Sequence, residues 1–377
     1  MTRTGHRDTP DAPGVDGAAG PVDVVALGES MVAFLPTRPG RLADVPSFDR
    51  SIGGAESNVV CALAAAGHPA RWVSRVGADG FGDHLVAAVG AYGVDVSAVR
   101  RDPERPTGVY FRTAGDRGTD AHEVAYYRAG SAASAMSPRG VDLAAARAGR
   151  VLHLSGITAA LSGSCLDLLR ELTAPRADRP LISFDVNHRP GLWGDGTDPR
   201  VLLDLARRAD LVFVGEDEAQ HAWGVTGGPA AIRALLPEPA LLVVKEGAAG
   251  VTVFHRDTAP RDTALRDTAL RDTALRDTAL HQPGLRVDVV ATTGAGDAFA
   301  AGFLSATLRA LPLRDRARHG HLWAAAALTT PGDLAAPPAR DTTDRLTALS
   351  EDAWGRLRLG PGWTQAEQRA EEEVPTP

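Results

Sequence analysis

Short apolar runs without polar alternation constrain this chain most. They lie at Val22 to Leu27, Ser57 to Ala66, Arg71 to Arg75, Val151 to Leu154, Leu181 to Val186, Leu211 to Val214 and Leu241 to Val244, with Ala- and Leu-rich helical stretches between them. A strand with one wet face alternates, so a continuous apolar strand must be covered on both faces. That predicts an α/β fold with a mainly parallel central sheet between layers of helices. One region departs from the pattern. Val109-Tyr110-Phe111-Arg112 and Val124-Ala125-Tyr126-Tyr127-Arg128 flank a polar, Gly-containing turn, which predicts an antiparallel hairpin with one solvated face. At 377 residues, 44% of them hydrophobic, the chain can build one large core or a core with a small appendage.

Both ends read as disordered tails. The first 20 residues are rich in Gly, Pro, Asp and Ala without periodicity, and the stretch from about 356 to 377 ends in Glu371-Glu372-Glu373-Val374-Pro375-Thr376-Pro377. The folded unit is therefore expected over about 21 to 350. Inside it, residues 256 to 280 hold Arg256-Asp257-Thr258-Ala259-Pro260 followed by four copies of Arg-Asp-Thr-Ala-Leu. A period of five matches neither helix nor strand, because each copy turns its Leu by roughly 140° on a helix and flips its face on a strand. The repeat is expected to be an expanded hairpin loop between strands at Val251 to His255 and Leu285 to Val289. Loop-closure entropy grows only logarithmically and tolerates such growth.

Several function classes are excluded. A net charge of -7 offers no basic face for nucleic acid. Cys61 and Cys165 sit in small-residue, helical surroundings and read as buried thiols rather than a disulfide or metal pair. No metal-ligand spacing appears. No apolar run can span a bilayer, and the start lacks a charged segment followed by an apolar core, so a cytoplasmic protein without a membrane partner is expected. Lys245 is the only lysine, although Lys and Arg together number 40. Where arginine is the default cation, a retained lysine suggests a place for a compact ammonium rather than a planar fork. Chance survival of one lysine is the competing explanation.

The segment Ala291-Thr292-Thr293-Gly294-Ala295-Gly296-Asp297-Ala298-Phe299 carries the chemistry. Gly294 and Gly296 allow a sharp turn, and the free N–H groups opening the next helix point at any anion there. Asp297 then stands inside an anion cradle, where a carboxylate makes sense as a proton acceptor in phosphoryl transfer to a hydroxyl. An acid that merely complements the helix dipole is the plainer alternative. Far upstream lies a second glycine segment, Gly53-Gly54-Ala55-Glu56-Ser57-Asn58, followed by Arg75-Val76-Gly77-Ala78-Asp79-Gly80-Phe81-Gly82. A GxxxxGK[ST] loop is missing, and Phe299 stands where a dinucleotide fingerprint needs its third glycine.

These two segments, in this order, resemble the paired signatures of the ribokinase-like, or PfkB-type, carbohydrate kinases over roughly residues 22 to 338. The resemblance implies a ribokinase-like three-layer α/β/α sandwich with a small β lid, formed by segments at about 40–53 and 106–129, that covers the sugar and serves as a homodimer or higher oligomer contact. It implies ATP and Mg²⁺ as cofactors. Asp297 would be the base, Gly294, Ala295 and Gly296 the anion hole, and Gly54 and Asn58 sugar contacts. Lys245, Gly247, Gly250 and Asn187 would skirt the nucleotide, and Glu218 would help organise the Mg²⁺ shell. The family's Asn is replaced by Gly215, three before Glu218. The family's Asp is replaced by Ala291, removing the carboxylate on which an expectation of potassium activation would rest.

Within that superfamily, Tyr126-Tyr127-Arg128 and Asp185-Val186-Asn187-His188-Arg189-Pro190 are similar to the pattern of 2-keto-3-deoxygluconate kinases, which form a 6-phosphate. Tyr127, Arg128 and Arg189 would then meet the substrate, and an arginine fork suits the carboxylate of an acid sugar. A fructokinase is the alternative within the class. A sugar- or nucleotide-sensing protein that has lost catalysis is the alternative outside it.

Overall fold

The computed structural model describes residues 21–113, 123–193, 198–256 and 277–365. Nine strands form the central sheet: β1 (Val22–Leu27), β4 (Ala70–Gly77), β5 (Val99–Asp102), β8 (Gly149–Ser155), β9 (Leu181–Asp185), β10 (Leu211–Gly215), β11 (Leu241–Lys245), β12 (Gly250–Arg256) and β13 (Asp277–Pro283). Their order is β13-β12-β11-β10-β9-β8-β1-β4-β5. The sheet is parallel from β11 to β5, and β12 and β13 add an antiparallel edge. Leu211 to Val214 and Leu242 to Val244 are fully buried, as strands without alternation require.

Helices cover both faces. On one side α1 (Ala55–Ala65), α2 (Gly80–Ala91), α9 (Ala295–Leu308), α10 (Leu313–Leu328), α11 (Arg340–Thr347) and α12 (Glu351–Arg356) contribute to one apolar cluster. On the other side α3 (Leu143–Arg147), α4 (Gly156–Leu161), α5 (Gly163–Thr173), α6 (Val201–Arg207), α7 (Glu216–Trp223) and α8 (Gly228–Leu235) contribute to a second. Phe299 and Phe303, four apart and so on one face of α9, meet Phe213 of β10 at centroid distances of 6.3 and 5.5 Å. This aromatic contact fixes the helix whose first turn carries Asp297.

A separate small sheet holds β2 (Met31–Pro36), β3 (Phe48–Gly53), β6 (Val109–Arg112) and β7 (Val124–Tyr127), in the order β3-β2-β6-β7, and three of its strands fall in the segments expected for the lid. The expected hairpin is there: β6 and β7 pair antiparallel, with Tyr110 opposite Tyr126. The strand Met31–Pro36 has no counterpart among the expected lid segments.

Four expectations are corrected. Ser57 to Ala66 is not a strand but belongs to α1, because its small residues (Ser57, Ala62, Ala64, Ala65) suit close helix packing and its length exceeds that of a buried strand. The chain stays ordered past 356, where Arg358–Leu359 pairs with Arg286–Val287 and Leu359 is 5% exposed. The hairpin partner of β12 is not Leu285 to Val289 but β13, which begins inside the last repeat copy at Asp277. That copy is therefore sheet, and Asp277 takes both arms of the Arg233 guanidinium at 2.6 and 2.8 Å. The remaining repeat residues, 257–276, lie outside the described residues, as do 1–20 and 366–377. Cys61 and Cys165 are buried free thiols, as expected.

Deleting Asp277–Leu280 strips β12 of four ladder partners and leaves Arg233, 6% exposed, without its carboxylate. Breaking such a pair costs about 3 kcal/mol, or a melting temperature roughly 5 °C lower in calorimetry. If 261–275 is the patternless loop that its period of five leads one to expect, deleting it should shift melting by about 1 °C or less. Equal effects of the two deletions would contradict this assignment.

Candidate functional site

The parallel strands deliver the site at their C-terminal ends, around the point where the chain order reverses between β1 and β8. Gly28 and Glu29 follow β1, Asp185 closes β9, Gly215 closes β10 and Lys245 closes β11. The first turns of α1 and α9 face this edge. Asn58 Nδ2 donates to Asp297 Oδ2 at 2.8 Å across 239 residues of sequence, so the two glycine segments meet in one place.

Gly294 caps α9 with φ +77°, the left-handed turn that its missing side chain permits. The N–H groups of Gly296 and Asp297 lie in the first helical turn, where no intrahelical acceptor is available. Asp297 stays partly open to the cleft. Burial pushes its carboxyl up to about 7, with the Asn58 hydrogen bond pulling down and the Asp185 charge pushing up. That places a proton acceptor near neutrality beside an anion cradle.

Lys245 Nζ lies 3.2 and 3.3 Å from the Asp185 oxygens and 3.9 Å from Glu218 Oε2. Burial works against its charge, but the two carboxylates outweigh that and hold the ammonium protonated well above its ordinary value. A Cβ built on Gly296 would lie 3.8 Å from Nζ, so the ammonium borders the anion hole. Glu218 accepts the Gly215 N–H at 2.7 Å, closing the start of α7, and approaches Arg189 Nη1 at 3.8 Å. Arg189, with a side chain 58% exposed, is otherwise open to the cleft. Asn187 adopts φ +39° and is buried with Oδ1 unpartnered. Gly247 and Gly250 hold the β11–β12 turn at φ +59° and +133°. Gly54 packs on the Glu29 main chain at the start of α1.

Two expected residues are placed differently. Tyr127 lies on the lid face opposite Tyr110 and Tyr126, edge-on to Phe111 at 5.9 Å and 66% exposed, because neighbours on a strand point to opposite sides. Arg128 is not free but pairs with buried Glu29, whose other oxygen accepts the Ser131 hydroxyl at 2.5 Å.

The sequence reading missed Glu29, Asp185 and Glu56 as site residues. Glu29 and Asp185 carried a usable signal: each is an acid placed where a buried strand ends. Glu56 gave none. Its Oε1 accepts the Thr158 hydroxyl at 2.6 Å, and burial pushes its carboxyl up to about 7. Among the described residues no group of three or more His, Cys, Asp or Glu converges as a metal site, and no helix is long and apolar enough to cross a membrane.

Such an arrangement can deprotonate a hydroxyl and cradle a phosphate next to it. Comparison with known proteins agrees. The pfkB family carbohydrate kinase model matches residues 22–340. The chain is 34% identical over 325 residues to the 2-dehydro-3-deoxygluconokinase of Bacillus subtilis, covering 85% of this chain and 94% of that one. It is 31% identical to the fructokinase of Escherichia coli, covering 75% and 83%. The crystal structure of a PfkB protein from Polaromonas sp. JS666 superposes with a TM-score of 0.71 at 32% identity, over 86% of this chain and 99% of that one. The chain belongs to the PfkB family of carbohydrate kinases and is a phosphotransferase with an alcohol group as acceptor.

Proposed function

We propose that this PfkB kinase transfers a phosphoryl group from ATP to the 6-hydroxyl of 2-keto-3-deoxygluconate. One observation carries the choice of an acid sugar. Arg189 holds a solvent-open guanidinium at the cleft, 3.8 Å from its nearest carboxylate and close enough to Asp297 to draw its pKa down. A substrate carboxylate would complete that fork. The name of the Bacillus subtilis relative supports the same substrate.

The chain's residues then divide the work. Gly54 and Asn58 meet the sugar, and Asn58 also aims Asp297. Asp297 takes the hydroxyl proton as the oxygen attacks, and the Gly294 to Gly296 turn, through the N–H groups of Gly296 and Asp297, receives charge developing on the phosphoryl oxygens. Lys245 adds a fixed positive charge beside them. The Gly247 to Gly250 turn and the unpartnered Asn187 oxygen fit the nucleotide side. Magnesium, when bound, would neutralise phosphate charge. With no acidic cluster among the described residues, it would be held chiefly by the phosphates, with Glu218 near. Exposed Val124 and Tyr126, which share one face of the lid, support a contact with a second copy there.

A neutral ketose is the second reading, favoured by the Glu29 carboxylate, which neutralises Arg128. Arg189→Leu separates the two. Turnover efficiency on 2-keto-3-deoxygluconate should fall roughly tenfold, a charge-assisted bond discounted for partial solvation. On fructose it should change by about twofold or less. Equal losses on both sugars in a coupled ADP-release assay would favour the ketose.

A further inference from the structure

Asp333, in the loop after α10, touches both glycine segments. Its main-chain oxygen packs on the Cα of Gly294, leaving no room there for a Cβ. Its carboxylate packs, together with the Tyr110 hydroxyl, on the Cα of Gly53, where a Cβ is excluded as well. Tyr110 donates its hydroxyl to Asp333 Oδ2. Arg112, 1% exposed, sets Nη2 at 2.6 Å from Asp333 Oδ1 and donates to the Pro331 carbonyl at 2.9 Å.

Tyr110 and Arg112 are alternate residues of β6, so they leave the same face of the lid. The Asp333 loop also runs beside the approach to the anion hole, because the Leu328 carbonyl just before it accepts the N–H groups of Val290 and Ala291 at 2.7 and 3.3 Å. A lid strand and the turn into α1 thus converge on the buried carboxylate of Asp333, and the turn into α9 on its main-chain oxygen. A buried ion pair adds little net stability, but separating its partners strands a buried charge, so the pair resists being pulled apart.

We propose that Asp333, held by Tyr110 and Arg112, is a positioning residue that ties the lid sheet to the Gly294–Gly296 anion hole, so that the hole is held in its catalytic shape only while the lid is seated. The inference rests on the reading of that turn as the anion hole. Its test therefore begins with a measurement independent of turnover. In Asp333→Asn and Tyr110→Phe, hydrogen exchange followed by mass spectrometry should quicken about fivefold or more over 290–298, while the inner turns of α9 at 300–307 stay as in the wild type. The same variants should lose about tenfold or more in kcat, with the KM for ATP within about threefold.

Because Asp333→Asn strips a buried guanidinium of its counter-charge, Tyr110→Phe, which keeps the ion pair, decides the matter if the first variant does not fold. Wild-type exchange over 290–298 overturns the proposal whatever the activity, and so does faster exchange spread through the whole chain. Exchange confined to 290–298 in a protein that phosphorylates no sugar would uphold the link and refute the kinase reading instead.

Discussion

Asp297→Asn is expected to lower kcat by about 10²- to 10⁴-fold while leaving nucleotide and sugar affinity within a few-fold of wild type. The amide keeps the shape of the side chain, and its oxygen can still accept from Asn58, which now donates at 2.8 Å. What it loses is the basic lone pair facing the attacking hydroxyl. Steady-state ADP release with calorimetric titration of ATP and sugar checks both halves. Turnover within about tenfold of wild type would leave phosphoryl transfer without its proposed base.

The same carboxyl sets a pH limb. With its pKa raised to about 7, Asp297 is ionised and competent only above neutrality, so kcat/KM should climb as pH rises through about 7. The contribution of such raised carboxyls to stability runs the other way. Asp297 and Glu56, raised from 3.8 and 4.5 to about 7, keep protons in the folded chain that the unfolded chain releases. At these two groups the folded state therefore binds more protons between those values, and their contribution to stability falls as pH rises through that window. His153, His319 and His321, held neutral by burial, act in the opposite sense and make stability rise with pH. The check is therefore a difference: the melting temperature of Asp297→Asn should gain on that of the wild type as pH goes from 5 to 8, and parallel profiles would contradict the assignment.

Lys245→Met is expected to carry the largest stability loss. It leaves Asp185, 4% exposed at its side chain, and Glu218 facing each other without the ammonium between them. Removing one partner of such a buried pair costs about 3 to 5 kcal/mol, or roughly 5 to 8 °C of melting temperature in a domain of this size. Adding Asp185→Asn should recover much of that stability, since it removes one of the stranded charges, yet it should not recover turnover. The double-mutant cycle reads this coupling directly by calorimetry. If Lys245→Met melts within about 2 °C of the wild type, the lysine is neither buried nor paired as described.

Much of this was legible in the residues themselves. Continuous runs such as Leu211 to Val214 dictate cover on both faces, and the Gly294-Ala295-Gly296-Asp297 order dictates a cradle with an acid inside. The misreadings share a cause. Ser57 to Ala66 looks like a buried strand by hydrophobicity because period cannot separate a fully buried helix from a fully buried strand. The last repeat copy looks featureless by period, yet β12 offers it a ladder and Arg233 offers Asp277 a charge, and neither partner is near in sequence.

Local sequence determined the classes of element, the glycine turns and the one retained lysine, because these follow from backbone freedom, side-chain periodicity and residue choice. Only the tertiary structure decided which charges are spoken for. Arg128 and Arg189 are alike as sequence, but a buried Glu29 neutralises the first, while the second is left open beside Glu218. Asp297 owes its proximity to Asn58, and Asp333 its hold on Gly53, to chain folding over more than two hundred residues. Charge pairing, burial and pKa depend on through-space neighbours, and the order of residues along a chain does not contain them until the chain has packed.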